Sequence, residues 1–369
     1  MSVWDIKHGD VRKLLKELPD DHFDAVLSDP PYAYKFMGNR WDYSLPSVNV
    51  WSELLRVVKP GAHIMLFGGP RTFHRLVVGV EDAGFIPLDL LIYMHAKGFP
   101  KSLDIAKAID KQEGHWRGRA GKIKSTNGAM GGPNFERTSK GQATTPSAKV
   151  WSGYGTALKP AYEPVLLAMK ALDGTFVENV RKWGTGALNI DGCCVGDKGR
   201  WPANVVLDDE AGVMLDVQSR GAARFFFTAK VSRSEREQGM QMETGALSHY
   251  APPVLRNTHP TLKAIELTRW LATMLLPPVR DDGCLRRILV PFSGAGSEMI
   301  GCLQAGWDDV LGIEGEAKYI AIAKSRIVKG GVFSGLLDKR MRKRERSEAA
   351  GRLCYGRFAS DAPSGRKHE

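Results

Sequence analysis

The chain has 369 residues, of which 43% are hydrophobic, enough to build a sizeable core and to divide into two domains. Its charged fraction of 25% excludes a wholly disordered chain, and no apolar stretch approaches the roughly 18 residues of a bilayer span. The N-terminus lacks the apolar segment of a secretory signal, and the five Cys are irregularly spaced. We therefore expect a soluble globular protein in a reducing, cytoplasmic setting, with no membrane partner.

The net charge of +11 is concentrated in two segments. Residues 101–160 hold 11 Lys and Arg against 4 Asp and Glu, and residues 331–369 hold 10 against 5. The rest of the chain is balanced, with 31 basic and 32 acidic side chains. Concentrated positive charge is typical of proteins that bind a polyanion, most often nucleic acid. A solvated, partly disordered surface is the alternative, above all for the C-terminal segment.

Short apolar runs alternate with helical periodicity along the chain, which predicts an α/β protein with a largely parallel sheet. Residues 114–157 are rich in Gly, Ser, Thr and Lys without clear periodicity, and we interpret them as a long insertion. The predicted strands are 23–28, 63–67, 88–93, 164–169, 287–290 and 310–314. The predicted helices are 11–18, 50–58, 73–83, 263–275, 298–304 and 318–328.

The first motif, Asp29-Pro30-Pro31-Tyr32, directly follows an apolar strand, at the strand end where α/β folds bind ligands. Neither proline has an N–H, so the Asp29 carboxylate and the backbone carbonyls face a ligand as hydrogen-bond acceptors. The exocyclic amine of a nucleobase offers two donors to such a site. Acceptors at Asp29 and the Pro30 carbonyl would free the lone pair of that amine for attack, and Tyr32 would supply an aromatic face for the base. A stiff turn without chemistry is the alternative.

The second motif, Phe292-Ser293-Gly294-Ala295-Gly296, lies between a predicted strand and a predicted helix. Closely spaced glycines let the backbone turn tightly and approach a cofactor. Glu314 follows Gly296 by 18 residues, at the end of the next apolar run, where a carboxylate can accept both hydroxyls of a ribose. The spacing fits a dinucleotide or S-adenosylmethionine (SAM). Met299 replaces the third glycine of the dinucleotide fingerprint, which disfavours NAD.

Together the two motifs resemble the DNA amino-methyltransferases of the permuted, beta-type order, in which the Asp-Pro-Pro-Tyr motif precedes the Phe-x-Gly-x-Gly motif. Phage and prophage adenine methylases are the most similar, and the resemblance covers most of residues 1–329. His8-Gly9-Asp10 resembles the segment that contacts the adenine of the cofactor. Residues 159–164 are similar to a border of the base pocket, and residues 259–263 to the motif at the methionine end of SAM. The chain departs from the family pattern at Val290, where many members carry Asp.

The resemblance implies a Rossmann-like SAM-dependent methyltransferase sheet, mostly parallel with one antiparallel strand, and an inserted target-recognition region. It implies a catalytic half at 1–96, a basic target-recognition region at 97–257 that includes the strand near 164–169, a cofactor-binding half at 258–330 and a basic tail at 331–369. The implied reaction is transfer of a methyl group from SAM to the N6 amine of an adenine flipped out of double-stranded DNA.

The implied sites follow the motifs, and phosphate contacts come from basic residues that alternate with small ones. The expected catalytic residues are Asp29, Pro30, Pro31 and Tyr32. The expected cofactor-binding residues are Asp10, Thr261, Lys263, Phe292, Ser293, Gly294, Gly296 and Glu314. The expected DNA contacts are Arg117, Arg119, Lys122, Lys124 and Trp41. No metal is expected, because the adjacent Cys193 and Cys194 lack the spacing of a zinc site.

Other functions remain open at this stage. A cytosine-N4 DNA methyltransferase would use the same chemistry, as would RNA and glutamine methyltransferases, although these usually place the cofactor motif first. A non-catalytic protein that binds SAM or DNA is the alternative from another class. A homodimer and a cognate restriction nuclease are compatible with the resemblance as protein partners.

Overall fold

The computed structural model describes residues 2–35, 38–96, 98, 102–115, 143–196, 198–229 and 262–329. The described strands, numbered in chain order, are β1 (Val3–His8), β2 (Phe23–Ser28), β3 (Val58–Phe67), β4 (Ile86–Met94), β5 (Tyr162–Met169), β6 (Val205–Asp208), β7 (Phe227–Ala229), β8 (Arg287–Pro291) and β9 (Asp309–Glu314). The described helices are α1 (Val11–Leu14), α2 (Val48–Val57), α3 (Phe73–Asp82), α4 (Ile105–Gln112), α5 (Pro146–Val150), α6 (Phe176–Trp183), α7 (Asp209–Ser219), α8 (Ile265–Leu275), α9 (Ser297–Ala305) and α10 (Ala317–Lys329).

The chain folds into two compact units. The first takes residues 1–91, 164–204 and 229–369, and the second takes residues 92–163 and 205–228. Within the part of the chain that the structure describes, no helix is both long and apolar enough to cross a membrane. The four-part division expected from the family resemblance stays a prediction.

The sheet of the first unit has the strand order β1-β9-β8-β2-β3-β5. Neighbouring strands run parallel from β1 to β3, and β5 is antiparallel to β3. The predicted fold class is confirmed: a Rossmann-like α/β sheet, mostly parallel, with one antiparallel strand beside β3. A core of apolar side chains from β2, β3, α2 and α3, including Trp51, Leu54 and Ile64, lies against this sheet.

The predicted strands and helices are all present in the described residues, with shifted ends. All six residues of β2 are buried, which explains why its sequence reads as a continuous apolar run. The largest shift is at the start of β3, which was predicted at residue 63 and lies at Val58. Val58 pairs with Phe23 of β2, and an irregularity in register separates this pair from the pairing that continues at His63. The predicted helix 11–18 is α-helical only to Leu14, and residues 15–17 form a 3₁₀ turn.

The order of connections changes direction between β8 and β2. The chain passes from β2 to its neighbour β3 on one side, whereas it passes from β8 to its neighbour β9 on the other. In open α/β sheets such a switch point leaves a crevice at the carboxyl ends of the two central strands. The loop after β2 begins at Asp29 and the loop after β8 begins at Phe292, so both predicted motifs lie at this crevice.

In the second unit, the C-terminal end of β4 pairs in parallel with β6. Asp110, near the end of α4, is buried and accepts hydrogen bonds from the backbone N–H groups of Thr144 and Thr145, close to the start of α5. Burial would raise the pKa of Asp110, but these hydrogen bonds outweigh it and hold the pKa at about 2.

The four predicted phosphate-contacting residues 117, 119, 122 and 124 and the tail from 331 lie outside the described residues.

Candidate active site

The loop after β2 holds a triangle of polar contacts around the first motif. The Tyr32 hydroxyl donates to Asp29 Oδ1 at 2.6 Å, and Lys263 Nζ lies 2.9 Å from Asp29 Oδ2. The same ammonium donates to the Tyr32 hydroxyl oxygen at 3.0 Å. The two motif residues expected to act on a base are therefore fixed to each other and to one cation.

Lys263 reaches this triangle from the segment that precedes α8, and it is only 7% exposed. Its ammonium lies 4.8 Å from the centre of the Phe67 ring and 5.3 Å from the centre of the Tyr32 ring, both within cation–π range. The sequence predicts a cofactor role for Lys263, and that role stays a prediction. The ammonium contacts the first motif directly, through Asp29 and the Tyr32 hydroxyl, and Phe67 of β3 lies beside it.

Asp42 organises the backbone of the same loop, and sequence reasoning did not single it out. This carboxylate is 3% exposed. Oδ1 accepts from the backbone N–H groups of Tyr32 at 2.8 Å and Ala33 at 2.9 Å, and Oδ2 accepts from that of Tyr34 at 3.1 Å. Ala33 has a φ of +60°, a left-handed conformation that costs free energy outside glycine, so the loop depends on such anchoring. The only sequence signal was an acidic residue in a short aromatic stretch, Trp41-Asp42-Tyr43.

The loop after β3 closes over the first motif from the other side. The Tyr34 hydroxyl accepts from the backbone N–H of Arg71 at 2.9 Å, and the Thr72 hydroxyl donates to the Tyr32 carbonyl at 2.8 Å. A Cβ at Gly69 would lie 2.4 Å from the Tyr34 hydroxyl oxygen, so only glycine permits this close approach. Tyr34 thus contributes to holding the loop.

The loop after β8 has a different construction, based on backbone geometry. Phe292, Gly294 and Gly296 have φ values of +58°, +50° and +81°. The Gly294 N–H donates to Glu314 Oε2 at 2.7 Å, and the Glu316 N–H donates to Glu314 Oε1 at 2.8 Å. Glu314 is 9% exposed; burial raises the pKa of its carboxyl, and hydrogen bonds from the backbone N–H groups of Glu316, Gly294 and Gly315 oppose that change.

The end of β1 joins this second loop. The Gly9 N–H donates to the Glu314 carbonyl at 3.0 Å, and His8 Nε2 lies 3.1 Å from the Gly315 carbonyl oxygen. Asp10 follows as the N-cap of α1, where its side chain accepts from the Arg12 backbone N–H and pairs with the Arg12 guanidinium. Asp10 and Glu314 therefore lie close to the ends of the neighbouring parallel strands β1 and β9, and their shared role in a cofactor site stays a prediction.

The two loops open at the same edge because β2 and β8 are adjacent and parallel. The Ser28 hydroxyl, at the end of β2, donates to the Pro291 carbonyl at 2.6 Å and ties the two strand ends together. A structure in which the glycine-bearing and proline-bearing loops opened to opposite sides would have excluded a shared site.

A buried acidic residue lies behind both loops. Glu298, in the first turn of α9, is 5% exposed. Burial and the negative charge of Asp29 raise its pKa to about 7, against the opposing effects of Lys263 and Arg326. Arg326 is itself buried and donates to the Ala295 carbonyl at 2.6 Å and to the Ser297 hydroxyl at 3.1 Å. An acidic residue inside an otherwise apolar helix was the available sequence signal for Glu298.

The second loop fits a ligand that carries an adenosine group. Glu314 is an acceptor-only carboxylate at the end of β9, the kind of group that accepts the hydroxyls of a ribose at this edge of an α/β sheet. Gly294 and Gly296 place no side chain over the loop. Val290 is buried in β8 and offers no carboxylate where many family members have one.

Trp41 and Thr261 are two further residues that the sequence predicts for the site. Trp41 is half-buried, and its indole N–H is buried without a hydrogen-bond partner among the described residues. Thr261 lies outside the described residues. Within the described part of the chain, no group of three or more His, Cys, Asp or Glu residues is placed to hold a metal ion.

The chain is 28% identical over 146 residues to the Type II methyltransferase M.HindIII of Haemophilus influenzae. The chain resembles a DNA amino-methyltransferase. The match covers 38% of this chain and 38% of M.HindIII, so the chain matches well under half the length of that relative. No protein-family model matches the chain.

Solved structures similar to this chain include the PvuII DNA methyltransferase and the M1.HpyAVI–SAM complex. The cytosine-N4-specific PvuII DNA methyltransferase is 14% identical, with a TM-score of 0.47, and the match covers 96% of this chain and 94% of that one. The M1.HpyAVI–SAM complex is 15% identical, with a TM-score of 0.39, and the match covers 88% of this chain and 100% of that one.

Proposed function

We propose that this protein is a SAM-dependent DNA methyltransferase that modifies the exocyclic N6 amine of an adenine flipped out of the duplex. The observation that carries the proposal is the meeting of the two loops at the switch point of the sheet, with the ends of β2 and β8 joined by the hydrogen bond from Ser28 to Pro291. One loop presents acceptors and an aromatic ring, and the other presents glycines and a ribose-compatible carboxylate.

In this proposal the second loop binds SAM. Glu314 would accept the ribose hydroxyls, Gly294 and Gly296 would let the backbone approach, and Asp10 would accept from the adenine. SAM supplies a methyl group on a sulfonium, which carries its own leaving group, so the chain needs no covalent nucleophile. The task of the protein is to orient the reactants, and well-aligned attack geometry is worth several kcal/mol.

The first loop would receive the target base. A base inside a duplex has its amine paired, so it has to leave the stack at a cost of a few kcal/mol. Stacking on Tyr32, worth about 1 to 3 kcal/mol, would offset part of that cost. The Asp29 carboxylate and the Pro30 carbonyl would accept the two amine hydrogens and draw the nitrogen toward tetrahedral geometry, which frees its lone pair for in-line attack on the methyl group. The carbon–sulfur bond would break as the nitrogen–carbon bond forms, leaving a neutral thioether, and the methylated amine would lose one proton to solvent.

Adenine is proposed over cytosine because Asp at the first motif position resembles the adenine enzymes. The cytosine-N4 amine has similar chemistry, and the PvuII enzyme acts on it. Cytosine N4 is therefore the second candidate. The two basic segments support a DNA substrate and predict strong weakening of binding as salt rises.

The decisive experiment incubates the protein with SAM that carries a labelled methyl group and with mixed-sequence duplex DNA, and then maps the modified bases. We expect label on adenine N6. Label on cytosine N4 would select the second candidate, and SAM binding without transfer to any DNA would indicate a non-catalytic protein.

Asp29→Ala tests the role of the first loop. We expect SAM affinity to be largely unchanged and methylation to fall by at least about 100-fold, the lower range for a positioned acid or base group. Asp82→Ala is the matched control, because Asp82 is an exposed carboxylate at the end of α3. A near-normal rate in Asp29→Ala would refute the role of this carboxylate.

A further inference from the structure

Lys263 is a buried cation in direct contact with the first motif. Its ammonium lies 2.9 Å from Asp29 Oδ2 and 3.0 Å from the Tyr32 hydroxyl, and its side chain is 5% exposed. The Asp29 side chain is 14% exposed, so the pair is largely removed from water. A buried charge is costly unless it is paired and hydrogen-bonded. Each member of this pair therefore restricts the other to a narrow set of positions.

The contacts also fix the orientation of the Tyr32 ring. The Tyr32 hydroxyl donates one hydrogen bond to Asp29 Oδ1 and accepts another from Lys263. These two hydrogen bonds hold the ring at its hydroxyl group. The Lys263 ammonium additionally faces the Tyr32 and Phe67 rings at cation–π distances. Without the ammonium, the hydroxyl would lose one of these bonds and the ring could rotate away from a stacked base.

Tyr32 and Lys263 contact different oxygens of the same carboxylate. The Tyr32 hydroxyl donates to Asp29 Oδ1, and the Lys263 ammonium lies against Asp29 Oδ2. Together the two contacts fix the orientation of the carboxylate group.

On the basis of the proposed function, we propose that Lys263 is a positioning residue of the methyl transfer. It holds the Asp29 carboxylate and the Tyr32 ring in the orientation that accepts and stacks the target base. This assignment differs from the expected contact with the methionine end of SAM, which stays a prediction and which the SAM affinity of a Lys263 variant tests.

Glu298 supports this placement of the cation. The positive charge of Lys263 lowers the pKa of the Glu298 carboxyl, whereas burial and Asp29 raise it. Lys263 thus acts electrostatically on carboxylates from two different elements, the loop after β2 and helix α9. Arg326 from α10 also faces Glu298, and the Cys302 thiol lies on the same helix.

The first test is the Lys263→Met variant, which keeps an unbranched apolar stem in the buried position. We expect kcat at saturating SAM to fall about 10- to 100-fold, while the Kd for SAM, measured without DNA, stays within about threefold of wild type. Fluorescence of 2-aminopurine at the target position reports whether the flipped base still stacks, and we expect weaker quenching in the variant. A Kd for SAM raised more than tenfold with normal kcat would overturn the proposal.

A double-mutant cycle separates positioning from a merely structural role. If Lys263 acts through Asp29, then adding Lys263→Met to Asp29→Asn should reduce kcat by less than about threefold further. Independent, multiplying losses would overturn the proposal. Should Lys263→Met fail to fold by circular dichroism, the same cycle with Lys263→Gln gives the same two readings.

The controls keep this proposal distinct from the proposed function. If the wild-type protein neither binds SAM nor methylates DNA, the proposed function fails. If the wild-type protein is active and Lys263→Met matches it in kcat and in base stacking, the proposed function stands and the role of Lys263 is wrong.

Discussion

The two loops at the switch point are held by opposite means. The loop after β2 depends on side chains, because Asp29, Tyr32, Lys263 and Asp42 supply its hydrogen bonds. The loop after β8 depends mainly on its backbone conformation, with Gly294 and Gly296 at positive φ, and side chains such as Glu314 accept from its N–H groups. We therefore expect the first loop to lose its conformation when side-chain atoms are removed, and the second loop to lose its conformation when side-chain atoms are added.

Asp42→Ala should have the largest effect on stability. The substitution removes the acceptor of three backbone N–H groups in a loop where the carboxylate is 3% exposed. A buried N–H without a partner costs about 1 to 3 kcal/mol, so we expect a loss of about 4 kcal/mol and at least tenfold slower methylation. Urea unfolding and the methylation assay measure the two effects.

Asp110 offers the matched control for that experiment. It is a carboxylate of similar burial that accepts two backbone N–H groups, but it belongs to the second unit. Asp110→Ala should lose stability without changing the affinity for SAM. An Asp42→Ala protein within about 1 kcal/mol of wild type would show that the loop has other anchors, and the contrast between the two loops would weaken.

Glu298→Gln should increase stability at alkaline pH. The pKa of Glu298 is raised from its usual 4.5 to about 7, so the folded protein binds a proton that the unfolded chain has lost. The stabilising contribution of the protonated acid is full below about pH 4.5 and disappears as pH rises through 7. The variant should therefore match wild type at pH 4.5 and exceed it by up to about 3 kcal/mol at pH 8.

Urea unfolding at the two pH values tests this difference. Glu316→Gln is the control, since the Glu316 side chain is 47% exposed and water solvates its charge in both states. The prediction fails if Glu298→Gln shows the same gain, or the same loss, at both pH values.

Gly296→Ala probes the second loop by adding one methyl group. The new Cβ would lie 2.9 Å from the Ala323 Cβ, in a backbone conformation with φ of +81°. Gly306→Ala adds the same group at φ of +98° with no atom within 4 Å, so it isolates the backbone strain of about 1 to 2 kcal/mol. We expect Gly296→Ala to lose about 2 kcal/mol more than Gly306→Ala, because overpacking adds to the strain.

The affinity for SAM gives the second reading of this pair. We expect weaker binding in Gly296→Ala and unchanged binding in Gly306→Ala, both measured by calorimetry without DNA. Equal effects of the two variants on stability and affinity would mean that the second loop tolerates added atoms, which would break the comparison.

The same contrast explains how far the sequence could predict the molecule. The central strand β2 is buried on both faces and reads as an apolar run, so it was predicted with correct bounds. β1, with a partly exposed and charged sequence, pairs only with β9 at the edge of the sheet and was not predicted. Motifs that follow strands identified the two loops, because strand ends fix where those residues lie.

Contacts between distant segments were outside the reach of sequence reasoning. The Lys263–Asp29 pair joins residues more than 200 positions apart, and nothing in the local sequence of either residue specifies the other. The role of Asp42 depends on a loop conformation with left-handed Ala33, which no periodicity encodes.

The smallest predicted effect on stability is at Asp10, where it helps to separate helix capping from cofactor binding. As the N-cap of α1 it accepts from the Arg12 backbone N–H at 2.9 Å, and loss of such a cap costs about 1 kcal/mol. Asp10→Ala should lose about that much, whereas Asp10→Asn should stay within a few tenths of a kcal/mol, because Asn caps as well as Asp and an exposed ion pair with Arg12 contributes little.

The affinity for SAM then separates capping from cofactor binding. An acceptor for the adenine amine is lost in Asp10→Ala and retained by the Asn carbonyl, so we expect weaker binding only in the Ala variant. Thr175→Ala removes the N-cap of α6 in the same unit and should lose stability without any change in affinity. If Asp10→Ala behaves like Thr175→Ala, Asp10 is a helix cap alone, and the second loop binds its ligand without a side chain from the end of β1.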